Sequence, residues 1–186
     1  MSYRLSVLDK SPIGEGETAA TALSRTLRLA QLAEEWGYHR FWIAEHHNTP
    51  QLASPSPELV IAWILGQTQR IRVGSGGVML QHYSPYKVAE NFNLLASLAP
   101  GRVDLGVGKA PGGLPLSTQA LQHGLHQEEK GSFADQLSQL NGWGNGIPDA
   151  NPTNTARRIC TRSQCAKRTV SSAIRLEFYL RCAPQR

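Results

Sequence analysis

Apolar segments and amphipathic segments alternate along the first 141 residues, and this alternation restricts the fold more than any other feature. Short apolar runs begin near residues 5, 41, 71 and 103. Between them, apolar residues recur three and four positions apart, which is typical of amphipathic helices. A chain that repeats strand and helix in this way forms a parallel sheet with right-handed crossovers. The alternation therefore predicts an α/β fold.

Helix boundaries can be predicted from caps and prolines. One helix is expected from Thr18 to Trp36, where a glycine follows, and another from about residue 58 to 67. Pro85 fits the first turn of a third helix. Ser132 and Asp135 have capping-box spacing, which predicts the start of a last helix.

The number of strand–helix units decides which α/β architecture the chain can form. A complete (β/α)8 barrel has eight units and needs roughly 250 residues. The chain has 186 residues, and the alternation is clear for four units. We therefore expect a partial (β/α)8 TIM-type barrel, with about four βα units over residues 1–141 and an irregular C-terminal tail over residues 142–186.

The tail differs from the preceding residues in charge and cysteine content. Residues 1–141 hold 11 Lys+Arg and 12 Asp+Glu, whereas residues 142–186 hold 8 and 2. All three cysteines lie in the tail, and Cys160 and Cys165 have no histidine near them. Free thiols are therefore favoured over a zinc site. Alternating apolar residues from Ile174 to Leu180 predict one edge strand or an adhesive segment.

Targeting signals are missing from the printed sequence. The first apolar run, Ser6 to Leu8, is soon interrupted by charged residues and a proline. The longest apolar run, Leu59 to Leu65, is too short to cross a bilayer. These patterns predict a cytoplasmic protein that has no membrane partner.

Polar or glycine-rich loops follow all four predicted strands, and such loops meet at one edge of a parallel sheet. Histidines exchange protons near neutral pH, glycines let a flat ring approach the backbone, and a lysine can contact an anion. We therefore expect a pocket at this edge. The loops contain Ser11-Pro12, Glu45-His46-His47, Gly76 to Tyr83, and Gly108 to Gly113.

Simpler roles for these residues stay open at this point. A histidine at a strand end can be a structural hydrogen-bonding residue, and the Gly76–Gly77 pair can be a bulge that bends the strand. Adjacent His46 and His47 point to opposite sides of an extended strand, which argues against a shared metal ion. Pro111 replaces the third glycine of a dinucleotide fingerprint, so that motif is rejected.

Several motifs that occur in order between Leu5 and Asn141 are specific when taken together. They are Phe41–His47, Arg70–Leu80, His82–Pro85 with Glu90–Phe92, and Gly101–Lys109. In these motifs the chain resembles the bacterial luciferase-like flavin-dependent monooxygenase family. The resemblance implies a (β/α)8 barrel that binds flavin at the carboxyl ends of its strands.

The same resemblance implies roles for individual residues. His46 matches a histidine that handles protons beside the reactive edge of the flavin. Gly76 and Gly77 match a pair that forms a cis peptide against the flavin ring, with Ser75 beside them as a further cofactor-binding residue. Lys109 matches a basic residue that contacts the flavin phosphate or its surroundings.

The reaction implied by the resemblance is oxidation of a small organic substrate by O2 and reduced FMN. A separate NAD(P)H:flavin reductase supplies the reduced FMN, and FMN is preferred over the deazaflavin of some relatives. A second hypothesis is a non-catalytic half-barrel that binds flavin or forms a homodimer. A third uses the basic tail to bind nucleic acid, but the tail has few aromatic residues for stacking.

The change of pattern at residue 142 leads to a first prediction. The resemblance implies four further strand–helix units, and nothing after Asn141 resembles them, so we expect a truncated or frameshifted family member whose tail is a translation of another reading frame. Reading the coding DNA downstream of Gly142 in the other two frames tests this hypothesis. A barrel-like continuation is expected in one of them, and its absence from both frames contradicts the hypothesis.

Overall fold

A computed structural model describes residues 3–125, 127–145 and 175–178, and within them five strands form one parallel sheet in the order β1-β2-β3-β4-β5. The strands are β1 (Ser6–Asp9), β2 (Arg40–Ile43), β3 (Arg72–Met79), β4 (Val103–Gly108) and β5 (Arg175–Phe178). Each strand pairs with the strand before it in sequence, which confirms the predicted α/β fold class.

Helices connect the first four strands, as the alternation predicts. The connecting helices are α1 (Ala19–Glu35), α2 (Pro57–Gly66) and α3 (Pro85–Leu98), and the helices α4 (Pro115–Leu121), α5 (Gln127–Lys130) and α6 (Phe133–Asn145) follow β4. A 3₁₀ turn at Leu80–His82 leads from β3 towards α3. Within the described residues, one α-helix thus lies between each pair of successive strands from β1 to β4.

The core lies between the sheet and the helices. Alternate strand residues point towards the helices, so Phe41, Ile43, Val73 and Leu105 are at most 2% exposed. Helix residues such as Ile61 pack against them in the same apolar cluster. Burial of these side chains fixes which face of the strands meets the helices, and the opposite face is left for the barrel interior.

The helix starts follow the predicted signals. Thr18 caps α1, since its hydroxyl accepts a hydrogen bond from the Thr21 backbone N–H at 3.2 Å. The predicted capping box is also present, because Asp135 accepts from the Ser132 N–H at 2.8 Å and the Asp135 N–H donates to the Ser132 hydroxyl at 3.2 Å. α4 was not predicted, because seven residues give too short an apolar repeat.

α6 continues past the boundary that the sequence suggested at residue 141. It ends at Asn145 and so includes Gly142 and Gly144. Each glycine costs a helix about 1 kcal/mol relative to alanine. Trp143 offsets this cost, because its ring meets the ring of Tyr86 edge-to-face, with centroids 5.2 Å apart, and packs against the core.

Most of the tail lies outside the described residues, including its three cysteines and the arginines considered for nucleic-acid binding. The described segment Arg175–Phe178 pairs in parallel with β4, with Leu176 opposite Leu105. The predicted edge strand is therefore confirmed for these residues. None of the described helices is both long and apolar enough to cross a membrane.

A buried ion-pair cluster lies towards the amino-terminal ends of the strands. The Asp104 carboxylate is 0% exposed and accepts hydrogen bonds from Arg40 Nε at 3.0 Å, Arg72 Nε at 2.8 Å and Arg72 Nη2 at 2.6 Å. One carboxylate therefore connects β2, β3 and β4. Because it is buried, its loss would leave two guanidinium groups without their counter-charge.

Replacing Asp104 with asparagine should lower the free energy of unfolding by about 3–5 kcal/mol, because the two arginines lose a buried partner. Chemical denaturation followed by circular dichroism measures the loss. Glu17→Gln is the control, since the Glu17–Arg25 pair is exposed and such pairs contribute about 0–1 kcal/mol. Equal losses for the two variants would contradict a structural role for the cluster.

Candidate active site

The loops that follow the first four strands are joined at the carboxyl edge of the sheet, as predicted. The loop after β1 is bound to the loop after β2, because the Ala53 N–H donates to the Ser11 carbonyl at 2.9 Å. The loop after β2 is bound to the loop after β4, because the His47 N–H donates to the Gly112 carbonyl at 2.8 Å. The edge therefore presents one continuous set of loops.

The peptide bond between Gly76 and Gly77 is cis, as the family resemblance implied. The register of β3 against β4 shifts between Ser75 and Val78. A Cβ atom on Gly77 would lie 2.9 Å from backbone atoms of Gly106. This distance is shorter than real Cβ contacts, so only glycine fits where β3 approaches β4 this closely.

Ser75 holds the neighbouring part of β3 against β4. Its side chain is 0% exposed, its hydroxyl donates to the Gly106 carbonyl at 2.8 Å, and the same hydroxyl accepts from the Gly106 N–H at 3.1 Å. The hydroxyl is thus engaged within the sheet. This contact holds the residue before Gly76 against β4.

Glu45 is the most connected side chain of the site and is 1% exposed. Its Oε1 atom contacts His47 Nε2 at 2.6 Å and accepts from the Tyr83 hydroxyl at 2.8 Å. Its Oε2 atom accepts from the Met79 N–H at 3.0 Å. Because the carboxylate only accepts, His47 donates from Nε2. Glu45 thus connects the end of β2 to the end of β3.

His82 connects the end of β3 to the loop after β4. Its Nε2 donates to the Pro111 carbonyl at 2.7 Å, and its Nδ1 accepts from the Gln122 amide at 3.1 Å. A carbonyl can only accept, so Nε2 carries a proton in this arrangement. The His82 ring also meets the His47 ring edge-to-face, with centroids 5.8 Å apart.

His46 differs from its neighbour because its ring is only partly covered. Its backbone N–H donates to the Ser54 carbonyl at 3.0 Å. The Nδ1 atom of His46 and the Oγ atom of Ser54 are both buried, and neither has a hydrogen-bond partner within the described part of the chain. Buried polar atoms are rarely left unpaired, so this pair marks a place for a ligand or water.

Burial and nearby charges shift several pKa values at this edge. Burial lowers the pKa of His46, with further lowering by Lys10 and His47. Burial also raises the pKa of Tyr83, and the negative charge of Glu45 raises it further. The pKa of Glu58 is raised mainly by burial, with a contribution from Glu45. Near pH 7 the site therefore holds a neutral His46 and an un-ionised Tyr83 hydroxyl.

The predicted site residues divide into two groups. His46, Gly76 and Gly77 belong to the joined loops and strand ends at the carboxyl edge, and Ser75 braces the glycine pair from within the sheet. Lys109 follows β4 directly and is exposed. We found no cluster of three metal-ligating side chains among the described residues.

Sequence reasoning did not assign roles to Glu45, Tyr83 or His82. Glu45 and Tyr83 are 38 positions apart, and their contact exists only because β2 and β3 are adjacent. One signal was available, since an acidic residue that directly follows a buried apolar strand needs hydrogen-bond donors. That signal indicates a partner for Glu45 without saying which residue supplies it.

This edge combines closely packed glycines with a histidine that has an unpartnered nitrogen. A Cβ atom on Gly76 would lie 2.9 Å from Leu8 Cδ1 and 3.2 Å from Trp42 Cβ, so these two side chains already pack against the glycine. His46 can accept or donate a proton at its unpartnered nitrogen. The arrangement therefore suits a ligand that exchanges a proton with the histidine.

Comparison with known proteins places these features in a family. The sequence model of the luciferase-like monooxygenases matches residues 3–167. The N-acetyl-S-alkylcysteine monooxygenase of Bacillus subtilis (strain 168) is 59% identical over 137 residues, which are 74% of this chain and 41% of that protein. The chain thus spans about two fifths of the length of this curated relative. The match to the family model continues beyond Asn141, where the resemblance in the sequence ended.

Solved structures show the same likeness. The chain is similar to apo-MsnO8 with a TM-score of 0.72 and 42% identity, covering 80% of this chain and 43% of that one. It shares its fold with the oxygenating constituent of 3,6-diketocamphane monooxygenase from Pseudomonas putida, solved with FMN, at a TM-score of 0.65 and 24% identity. That match covers 79% of this chain and 39% of the other. The sheet therefore corresponds to part of a TIM-type barrel, as predicted.

The electrostatics of the site predict how His46 titrates. Its pKa should lie below the ordinary histidine value, and Lys10→Gln should raise it because a nearby positive charge is removed. The unfolded chain then binds this proton at a higher pH than the folded chain, so His46 lowers stability as the pH falls. Nuclear magnetic resonance of the imidazole C–H groups measures the titration, with His46→Gln to assign the signal.

Lys87→Gln is the matched control, because Lys87 lies on α3 and pairs with Glu90. It should leave the His46 titration unchanged. A His46 pKa at or above the ordinary value, or equal responses to the two lysine variants, would contradict the predicted electrostatics.

Proposed function

Because the chain belongs to the luciferase-like monooxygenase family, we propose that its carboxyl edge is the flavin site of an FMN-dependent monooxygenase. The observation that carries this proposal is the partly covered His46, whose Nδ1 atom is buried without a partner in the described residues. It belongs to the same loop edge as the cis Gly76–Gly77 peptide, where neighbouring atoms leave room only for glycine.

Each residue has a distinct role in the proposed site. Gly76 and Gly77 form the surface on which the flavin ring rests, and Ser75 fixes that surface to β4. His46 moves a proton at its unpartnered Nδ1, which its neutral state near pH 7 permits. Lys109, exposed directly after β4, contacts the phosphate as a point charge.

Glu45 acts as a positioning residue in this proposal. It orients His47 and Tyr83 by hydrogen bonds of 2.6 and 2.8 Å, and it fixes the backbone at Met79. The loop that carries His46 is thereby tied to β3. Its two oxygens are engaged by these three donors, so its role is to hold the neighbouring groups in place.

The proposed reaction oxidises a small organic molecule. Reduced FMN, when bound, supplies two electrons, so that one atom of O2 enters the substrate and the other leaves as water. A separate NAD(P)H:flavin reductase is the proposed partner that supplies the reduced FMN. N-acetyl-S-alkylcysteines are the first substrates to test, because they are named for a relative 59% identical over 137 residues.

A second candidate function is a flavin-binding or dimerising half-barrel without turnover. It is favoured by the outer edge of β1, which has no partner strand within the described part of the chain. Leu5 and Leu8 lie at this edge and are 65% and 47% exposed. Exposed apolar side chains beside an open strand edge favour association with another strand, as in a homodimer.

Flavin titration and turnover together test the proposal on the full chain. FMN fluorescence should be quenched on binding, and addition of a flavin reductase, NADH and an N-acetyl-S-alkylcysteine should give substrate-dependent oxygen consumption. His46→Gln should retain FMN binding and lose turnover by about 10²–10⁴-fold, because the proton-handling group is removed. FMN binding without substrate-dependent oxygen consumption would favour the second candidate.

Control variants separate site effects from general effects. His123→Gln replaces an exposed histidine after α4 and should change neither binding nor turnover. Lys109→Gln should weaken FMN binding more than riboflavin binding, since only FMN has a phosphate, whereas Lys87→Gln should affect neither. Unchanged turnover in His46→Gln, or equal losses for FMN and riboflavin in Lys109→Gln, would contradict the assigned roles.

A further inference from the structure

A cavity of about 730 Å³ lies at the opposite end of the sheet from the proposed flavin site. Its walls come from the residues that precede β1, β2 and β3 and from the carboxyl end of α1. Cavities that hold small molecules in proteins have volumes of roughly 300–1,000 Å³. The basal cavity, as we name it, is therefore large enough for a small ligand.

Arginines give the basal cavity a positive charge. Arg4, Arg70 and Arg72 line it, and neither Arg4 nor Arg70 forms an ion pair within the part of the chain that the structure describes. Both of these side chains are exposed. Arginine carries a planar, permanently charged group that binds phosphate through two parallel hydrogen bonds.

Glu34 is the acidic residue of the cavity wall, and its carboxylate already accepts hydrogen bonds from backbone N–H groups. Its carboxylate accepts from the backbone N–H of Gln69 at 3.0 Å and of Ile71 at 2.8 Å, and it also accepts from the N–H of Arg70. These donors leave the carboxylate little capacity to bind the guanidinium groups. The cavity therefore keeps a net positive charge with room for an anion.

His39 adds an unsatisfied polar atom to the same wall. Its Nε2 is buried and has no hydrogen-bond partner among the described residues. Burial lowers the pKa of His39, and the charges of Arg40, Arg4 and Arg72 lower it further. A buried ring nitrogen without a partner is uncommon in proteins and indicates a missing ligand or water.

Aromatic rings complete the cavity wall. Tyr3 is 88% exposed and Trp36 is 63% exposed, while Tyr38 is half-buried against the core. Exposed aromatic rings beside arginines can stack on a planar ligand. The wall therefore combines groups for a phosphate with groups for a ring.

We propose that the basal cavity binds a phosphorylated compound with a planar ring, such as a nucleoside monophosphate. Arg4 and Arg70 hold the phosphate, Trp36 stacks on the ring, and His39 Nε2 makes a polar contact. This site is separate from the proposed flavin site and does not depend on it. The basal cavity would bind its ligand even if the carboxyl edge had no catalytic activity.

Isothermal titration calorimetry of the full chain with AMP tests the proposal. Saturable binding is expected, and the double variant with Arg4→Ala and Arg70→Ala should weaken it at least tenfold. Arg28→Ala is the matched control, because Arg28 is an exposed arginine on α1 and does not line the cavity. Trp36→Phe should remove the change in tryptophan fluorescence that AMP causes.

Further measurements decide between ligands. Adding AMP in the presence of saturating riboflavin, which lacks a phosphate, should leave AMP affinity unchanged if the two sites are separate. Inorganic phosphate alone should bind more weakly than AMP, because it lacks the ring. Circular dichroism should show that the double arginine variant remains folded, and Arg70→Lys should restore part of the binding.

Several results would overturn the proposal. One is the absence of saturable AMP binding, and another is an equal loss of binding in Arg28→Ala, which would show a general charge effect. A third is binding of a poly-glutamate peptide without binding of AMP, because the cavity would then accept an acidic chain and not a ring-bearing phosphate.

Discussion

The carboxylate of Glu45 fixes the relation between two strand ends, and the geometry of the site follows from it. It lies directly after β2 and accepts hydrogen bonds from the side chain of His47 and from the backbone and side chain of residues after β3. His47 also contacts the Tyr83 hydroxyl at 3.3 Å and meets the His82 ring edge-to-face. The loop that carries His46 is therefore tied to the segment after β3 through Glu45 and His47.

At each end of the sheet a buried carboxylate joins neighbouring strands, but the partners of the two carboxylates differ. At the amino-terminal end, Asp104 holds Arg40 and Arg72 across three strands, and at the carboxyl end Glu45 binds His47, Tyr83 and a backbone N–H. The difference has chemical consequences. Guanidinium groups stay charged at every accessible pH, so the amino-terminal end keeps a constant positive potential. The carboxyl end contains histidines, whose side chains can exchange protons near neutral pH.

Much of the fold was predictable because local signals and tertiary packing agree. Thr18 and the Ser132–Asp135 box mark helix starts by hydrogen bonds made within three residues, so the sequence alone contains both partners. α4 was missed because its apolar repeat is short, and the end of α6 was missed because it depends on a distant contact. The position of Trp143 in a helix depends on contact with Tyr86, which lies 57 residues earlier in the sequence.

The candidate site was predictable only in part. Residues within a local motif could be identified, whereas contacts between residues far apart in the sequence could not. The family motif identified His46 and the Gly76–Gly77 pair, and parallel pairing of β1 to β4 placed their loops at one edge. The hydrogen-bond network around Glu45 and His82 could be found only from the structure. Apart from the Glu45–His47 contact, its partners are 29 to 40 residues apart in the sequence. A pattern of residue types shows which groups are present, whereas hydrogen-bond partners depend on how the strands are aligned.

Unpartnered atoms add a physical argument that the sequence could not supply. Within the described residues, three buried side-chain atoms have no hydrogen-bond partner, on His39, His46 and Ser54. Two lie at the carboxyl edge and one lines the basal cavity, so each end of the sheet has at least one. A buried polar atom left unpaired costs about 1–3 kcal/mol. This free-energy cost is removed at each end of the sheet only when a ligand or a water supplies the missing hydrogen-bond partner.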